Sequence, residues 1–370
     1  MSKFAPHVCV VGAGPAGLAA AIALRQTSCK VTVVDCAVPP VDKACGEGLM
    51  PDSIAALAEL GIEIPPGVGF PFRGIQFSNR LSSVQADFPN GLARGVRRTV
   101  LHNLLIEHAA KFGVAIVWHA KHVLLTGDGV SLRGQALTAD FVIGADGQNS
   151  SVRRQANLDS VRHETRRFGF RRHFRVAPWS SYMELHWGSR SQIYVTPVAA
   201  DEVCVAVISR DSRLRLEEAL GDFPRLNDDL RNAEPVSAEM GAISASRTLK
   251  SVCSRNTALV GDASGSVDAI TGEGICVSIK QARALAMAIE SGNLGHYQRE
   301  HRKLMRRPQT MASLMLMLER NAQVQRRALA GLAETPGLFR SLLKIHVGAA
   351  NYADLCSWNL FNFGRAFLAA

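Results

Sequence analysis

The chain has 370 residues, 47% of them hydrophobic, enough for a sizeable core and more than one domain. Its 42 Lys and Arg against 32 Asp and Glu give a net charge of +10, but no Lys-rich block or nucleic-acid motif accompanies that charge, which excludes a nucleic-acid partner. No run approaches the ~20 apolar residues of a spanning helix, the first strand begins by His7 with no room for a signal peptide, and the eight cysteines form no CxxC pair or metal-ligand spacing, so the expectation is a cytoplasmic protein with free thiols and no metal.

Val8-Cys9-Val10-Val11 leads into Gly12-Ala13-Gly14-Pro15-Ala16-Gly17 and an alanine-rich helical stretch through Arg25, the strand-turn-helix context of a dinucleotide fingerprint. Gly12 permits the tight turn, Gly14 lets a pyrophosphate approach the backbone, Gly17 lets helix and strand pack, and Ala16 completes the cofactor-contacting set. The helix N-terminus turns its positive dipole end to the phosphates. A second strand, Lys30 to Val34, ends in Asp35, 23 residues after Gly12, where a carboxylate can accept both ribose hydroxyls.

A helix follows Pro51-Asp52-Ser53 and stops at Gly61; short strand-like pieces fill 62–95. Thr99 is expected to cap a helix with the stripe Leu101, Leu104, Leu105 and Phe112, on which His108 reads as a buried, hydrogen-bonded side chain. Strands are expected at 114–118, 122–125 and 141–144, the last running into Asp146-Gly147-Gln148-Asn149-Ser150, with Arg153 completing DG-x-x-S-x-x-R. From about 160 to 250 alternation dominates, which predicts an antiparallel sheet with one exposed face and one helix at Arg213–Leu220. In Arg166 to Arg175 the basic residues read as the solvated face and Phe168, Phe170 and Phe174 as the inward one, with His173 and Arg175 lining a polar cavity as the alternative.

A third strand-glycine-aspartate motif, Val260-Gly261-Asp262-Ala263-Ser264-Gly265, precedes a helix over 275–290 stopped by Gly292. Beyond His296 the chain reads as helical, with breaks at Pro308 and Pro336-Gly337. The stretch Met311 to Leu318, followed by Arg320, Arg326 and Arg327, reads as packing over the main domain, or as peripheral membrane contact through the C-terminal helices.

In this order the three motifs resemble those of the para-hydroxybenzoate hydroxylase-like flavoprotein superfamily, in which all three serve one FAD. Thr271-Gly272-Glu273-Gly274-Ile275 and Cys45-Gly46-Glu47-Gly48-Leu49 are most similar to its geranylgeranyl reductase-like branch. The resemblance covers about residues 5–295. It implies an α/β fold: a doubly wound, glutathione-reductase-type FAD-binding domain (1–70, 95–160 and 250–295), an inserted antiparallel-sheet substrate domain (71–94 and 161–249) and a helical C-terminal extension (296–370).

It also implies roles: Asp262 on the ribityl chain, Arg98 at the phosphates, Asp146 and Gly147 near the pyrophosphate, and Gly272 and Gly274 as bare backbone under the flavin ring. Cys45 and Glu47 become the candidate catalytic residues beside the flavin. Tyr194 and Pro197 would wall the substrate cavity, with His173 as a further substrate contact. No second dinucleotide fingerprint is present, so NAD(P)H would bind transiently as reductant.

The reaction expected first is NAD(P)H-dependent monooxygenation (hydroxylation) of a largely apolar aromatic or polyketide-like small molecule. A prenyl or geranylgeranyl-type reductase saturating double bonds is the alternative, and a non-catalytic flavin-binding regulatory protein the third. Flavin halogenases carry Trp-x-Trp-x-Ile-Pro where this chain has Gln192 to Pro197, which disfavours halogenation. Gly265 stands where aromatic hydroxylases usually have histidine, and Ala269 where hydroxylases and prenyl reductases alike usually have proline. No obligate protein partner is evident.

Overall fold

In the computed structural model, which describes residues 5–355 and 357–369, a six-stranded sheet carries the first motif near its centre. Across it run Cys253–Ser254, Thr257–Leu259, Phe141–Gly144, His7–Val11, Lys30–Val34 and Ala115–Val117, parallel except at the Cys253 edge. Val8 to Val11 are buried, as a central parallel strand with helices on both faces requires. Helix Pro15–Gln26 makes the crossover between the first two strands. Pro15 sits in the first turn, where no N–H partner is needed, and Leu18 to Leu24 are buried because helices Arg98–Lys111 and Gly274–Glu290 flank them.

A second sheet, of eight strands among the described residues, runs Glu234–Pro235, Val161–Arg175, Glu202–Ser209, Ser191–Ala199, Tyr182–Trp187, Gly74–Ser78 and Ser83–Asp87, with Met240–Leu249 also paired to Val161–Arg175. In strand Val161–Arg175 Phe174 is buried as expected, but the basic side chains are not all solvated. Arg167 and Arg171 are each 1% exposed, whereas Phe168 and Phe170 are only half-buried. Each buried guanidinium is neutralised in place: Arg167 by Asp268 (3.0 Å) and Glu319 (2.8 Å), Arg171 by Asp42. Phe170 is instead covered by the guanidinium of Arg215 stacked on its ring. Arg175 is exposed and paired with Glu234, outside any cavity.

Other boundaries shift. Arg97, not Thr99, precedes the helix Arg98–Lys111, and no side chain caps it. His108 is half-buried against the Gly61 carbonyl; the buried histidine of that helix is His102. The helix expected from Arg213 begins at Leu216, and a second, Pro224–Leu230, follows.

Helix Leu294–Glu319 continues through Pro308. Burial of Met311, Ala312 and Met315 against Leu185, Trp187, Tyr194 and Ile270 holds the segment helical despite the proline. The break falls instead at Asn321, whose side chain accepts from the N–H groups of Gln323 and Val324 and starts helix Ala322–Glu334. Helix Pro336–His346 and helix Ser357–Ala369 follow. No helix among the described residues is long and apolar enough to cross a membrane. Seven cysteines are free thiols, and Cys356 lies outside the described residues.

Candidate active site

The turn after Val11 contains two kinds of glycine. A Cβ on Gly12, at φ +111°, would overlap the Ala145 carbonyl at the end of the neighbouring strand, and one on Gly17 would overlap the Gly12 carbonyl, so Gly12 lets the first and second motifs close together and Gly17 closes the helix on the turn. Gly14 has extended backbone and open space beside it. Gly46, Gly147, Gly272 and Gly274 likewise have no atom within 4 Å of an added Cβ. Ala16 lies where a Cβ on Gly261 would strike it, so it packs the first motif against the third.

Asp35 accepts from the N–H of Ala13 at 2.6 Å and of Ala37 at 2.7 Å, which fixes the carboxylate at the strand end and leaves each oxygen a lone pair for a further donor. Asp146 differs from its expected role. Its carboxylate accepts from Ser150 Oγ and from the N–H groups of Ser151 and Val152, so it caps its own short helix and has little capacity for a cofactor. Arg153, 2% exposed, donates to the carbonyls of Gln148 (2.8 Å) and Ala263 (3.1 Å), joining the second motif to the third.

Asp262 remains accessible to solvent although protein surrounds it, the mark of a group lining a deep cleft. That crowding raises its carboxyl above the ordinary value, against the pull of Arg98 and Lys43. The Nε of Arg98 is buried without a partner. His102, which periodicity alone did not single out, bonds the Ala13 carbonyl at 2.8 Å from behind the glycine turn.

The loop to Gly274 is held from two directions. Asp268 accepts from the N–H of Ile270 and pairs with the buried Arg167. Glu273, 1% exposed, accepts from Arg307 at 2.9 Å and lies 3.5 Å from His346 Nδ1. Tyr194, expected to wall the substrate cavity, donates its hydroxyl to the Ile270 carbonyl at 2.8 Å and braces this same loop. Pro197 is also packed inside the sheet, its carbonyl against Gly95. Neither offers a free polar group to a substrate.

Glu47 adopts φ +59° and is 3% exposed. Its Oε1 accepts from the Arg98 N–H, and its Oε2 lies 2.7 Å from His173 Nε2. Arg171 can only donate, and it approaches His173 Nδ1 at 3.1 Å, so Nδ1 accepts and the Nε2–H points to Glu47. His173 is thus tied into a buried pair. Cys45 and Cys204 stand beside it, both thiols raised by burial and therefore protonated. Glu47, His173 and Cys204 bring three potential ligand atoms within 4.8 Å of one another, but the adjacent Arg171 guanidinium opposes a cation there.

Gly14, Gly46, Gly272 and Gly274 leave open space beside bare backbone, and Arg98 acts on the Asp262 carboxyl; this set of features fits FAD. Open backbone suits a pyrophosphate or a flat ring, the unpartnered Arg98 Nε suits an anion, and Asp262 is an acceptor suited to hydroxyls. Bound FAD supplies two-electron redox chemistry, while the protein supplies orientation and charge. Helix Gly274–Glu290 begins at Gly274, and its N-terminus favours negative charge beside it.

Fold and cleft define an FAD-dependent oxidoreductase of the p-hydroxybenzoate hydroxylase kind. A family model described as FAD binding domain matches residues 6–300, and the chain belongs to that family. It is similar to menaquinone reductase of Mycobacterium tuberculosis, 28% identical over 314 residues that cover 78% of this chain and 77% of that protein. It is also similar to a ubiquinone hydroxylase of Neisseria meningitidis, at 26% identity, covering 76% and 68%. A flavoprotein/dehydrogenase from Cytophaga hutchinsonii superposes with a TM-score of 0.79 over 93% of both chains at 18% identity, a likeness of fold. Membership among these enzymes sets aside the non-catalytic reading.

Proposed function

We propose that the protein is an NAD(P)H-dependent FAD hydroxylase of a largely apolar aromatic or polyketide-like small molecule. The observation that carries this reading is the Glu47–His173 pair, one residue from the open face of Gly46. A hydroxylated ring becomes electron-rich enough to take up oxygen when it loses a proton, and a buried carboxylate-imidazole pair accepts one. Dioxygen supplies one atom to the product and one to water, and NAD(P)H supplies the two electrons. The hydroxylase relative supports the reading.

A second reading, saturation of an isolated double bond in a prenyl chain, is favoured by the likeness of the Cys45 and Thr271 loops to the geranylgeranyl reductase-like branch and by the presence of reductases among the relatives. The same pair would then give a proton to one carbon as hydride reaches its neighbour. Turnover of candidate lipophilic phenols and prenylated quinones under labelled dioxygen separates the two. Label in the product is the expected result; anaerobic formation of a product heavier by two hydrogens replaces hydroxylation with reduction.

A further inference from the structure

We propose that helix Ser357–Ala369 docks the protein flat on the surface of an anionic lipid bilayer, an inference independent of which reaction the cleft performs. The helix is apolar on both sides. Inward, Phe363 and Phe367 close on Gly331 of helix Ala322–Glu334, and Ala366 is buried. Outward, Trp358, Phe361, Arg365 and Leu368 share one face at helical spacing. Trp358 is 66%, Phe361 59% and Leu368 76% exposed, and the Trp358 and Phe361 rings stack 6.1 Å apart into one plate. An exposed run of large apolar side chains on one helix face calls for cover, and here it has none among the described residues.

Charge selects the cover. From 320 to 370 the sequence has Arg320, Arg326, Arg327, Arg340, Lys344 and Arg365 against Glu334 and Asp354, and all six cations are exposed. On the face itself Arg365 stands exposed between Phe361 and Leu368; a second copy would set Arg365 against Arg365, whereas an anionic headgroup pairs with it. Trp and Phe beside Arg suit the headgroup boundary, and 13 residues are too few to span a bilayer, so the helix lies in the plane. In the stretch Met311 to Leu318, Met311, Ala312 and Met315 are core while Leu314 and Met317 are exposed.

The test is co-sedimentation of the FAD-loaded full chain with vesicles of phosphatidylglycerol and phosphatidylcholine, and with phosphatidylcholine alone. The protein should pellet with the anionic vesicles, be released by salt, and bind the neutral ones weakly. Trp358→Ser with Phe361→Ser should lower partitioning by about tenfold or more, with bound flavin and melting temperature unchanged. Wild-type protein that stays in the supernatant with anionic vesicles overturns the proposal, as does undiminished binding by the double variant. Equal binding to both vesicle types overturns the anionic requirement. A dimer in solution that the same substitutions dissolve, without vesicle binding, assigns the face to a second copy instead.

Discussion

Arg307, from helix Leu294–Glu319, donates to Glu273 at 2.9 Å and neutralises a buried carboxylate held between Gly272 and Gly274. The segment beyond the family-matched residues therefore acts on the loop on which the flavin would rest. Removing the cation with Arg307→Met leaves negative charge beside a group that must accept electrons. The two-electron flavin potential should fall by about 30 mV for each ~1.4 kcal/mol of lost compensation. Dye-equilibrated reduction of both proteins measures it, and an unchanged potential reduces Arg307 to a structural tie.

Glu47→Ala should lower global stability by about 3 kcal/mol, because His173 keeps its buried Nε2–H and the Arg98 N–H stays in place while both lose the carboxylate that accepts from them. Glu47→Gln paired with His173→Gln removes both ionisable partners and should recover part of that loss. Urea melts of the singles and the double give the coupling. Strict additivity would mean that the two side chains do not interact.

The first glycine motif was legible in the sequence because strand, turn and helix follow one another, with Gly17 meeting Gly12 and Asp35 meeting Ala13 over short spacing; the approach of Gly12 to Ala145 was not legible. Partners brought from distant segments were not legible. Glu47 meets His173 from 126 positions away, and Arg167 meets Asp268 from 101. Alternation read the basic residues of Arg166 to Arg175 as the solvated face, whereas acids brought from distant segments bury Arg167, Arg171 and His173. Pro308 misled for a related reason: local propensity marked a break that tertiary burial overrode.

Burial lowers the His301 pKa from 6.5 to about 4, so the imidazole beside Ser264 is neutral in the fold. The unfolded chain takes up that proton at higher pH than the folded one. His301's contribution is therefore complete above pH 6.5 and is lost as pH falls toward 4, by up to roughly 3 kcal/mol. His301→Gln keeps a donor for Ser264 and cannot titrate. Its melting temperature should drop less than the wild type's between pH 7 and 5, and parallel pH profiles would show that His301 is not the group responsible.

Gly17→Ala and Gly14→Ala should part company. A methyl on Gly17 meets the Gly12 carbonyl and must disrupt the strand-helix contact, so thermal stability falls before any cofactor is added. The methyl on Gly14 meets nothing, and that apo variant should melt as the wild type does. Calorimetry of the apo proteins decides, and equal destabilisation contradicts the division of labour between the two glycines.

FAD titration into apo wild type, Gly14→Val and Asp262→Ala, followed by flavin fluorescence, tests the assignment of the cleft most directly. Wild type should bind one FAD per chain. Asp262→Ala loses an acceptor for the ribityl chain and should bind about tenfold to a hundredfold more weakly, recoverable with excess FAD. Gly14→Val fills the space the pyrophosphate needs and should stay empty at any FAD concentration that leaves it folded. Near-native affinity in both variants, or a wild type that binds no flavin, would contradict it.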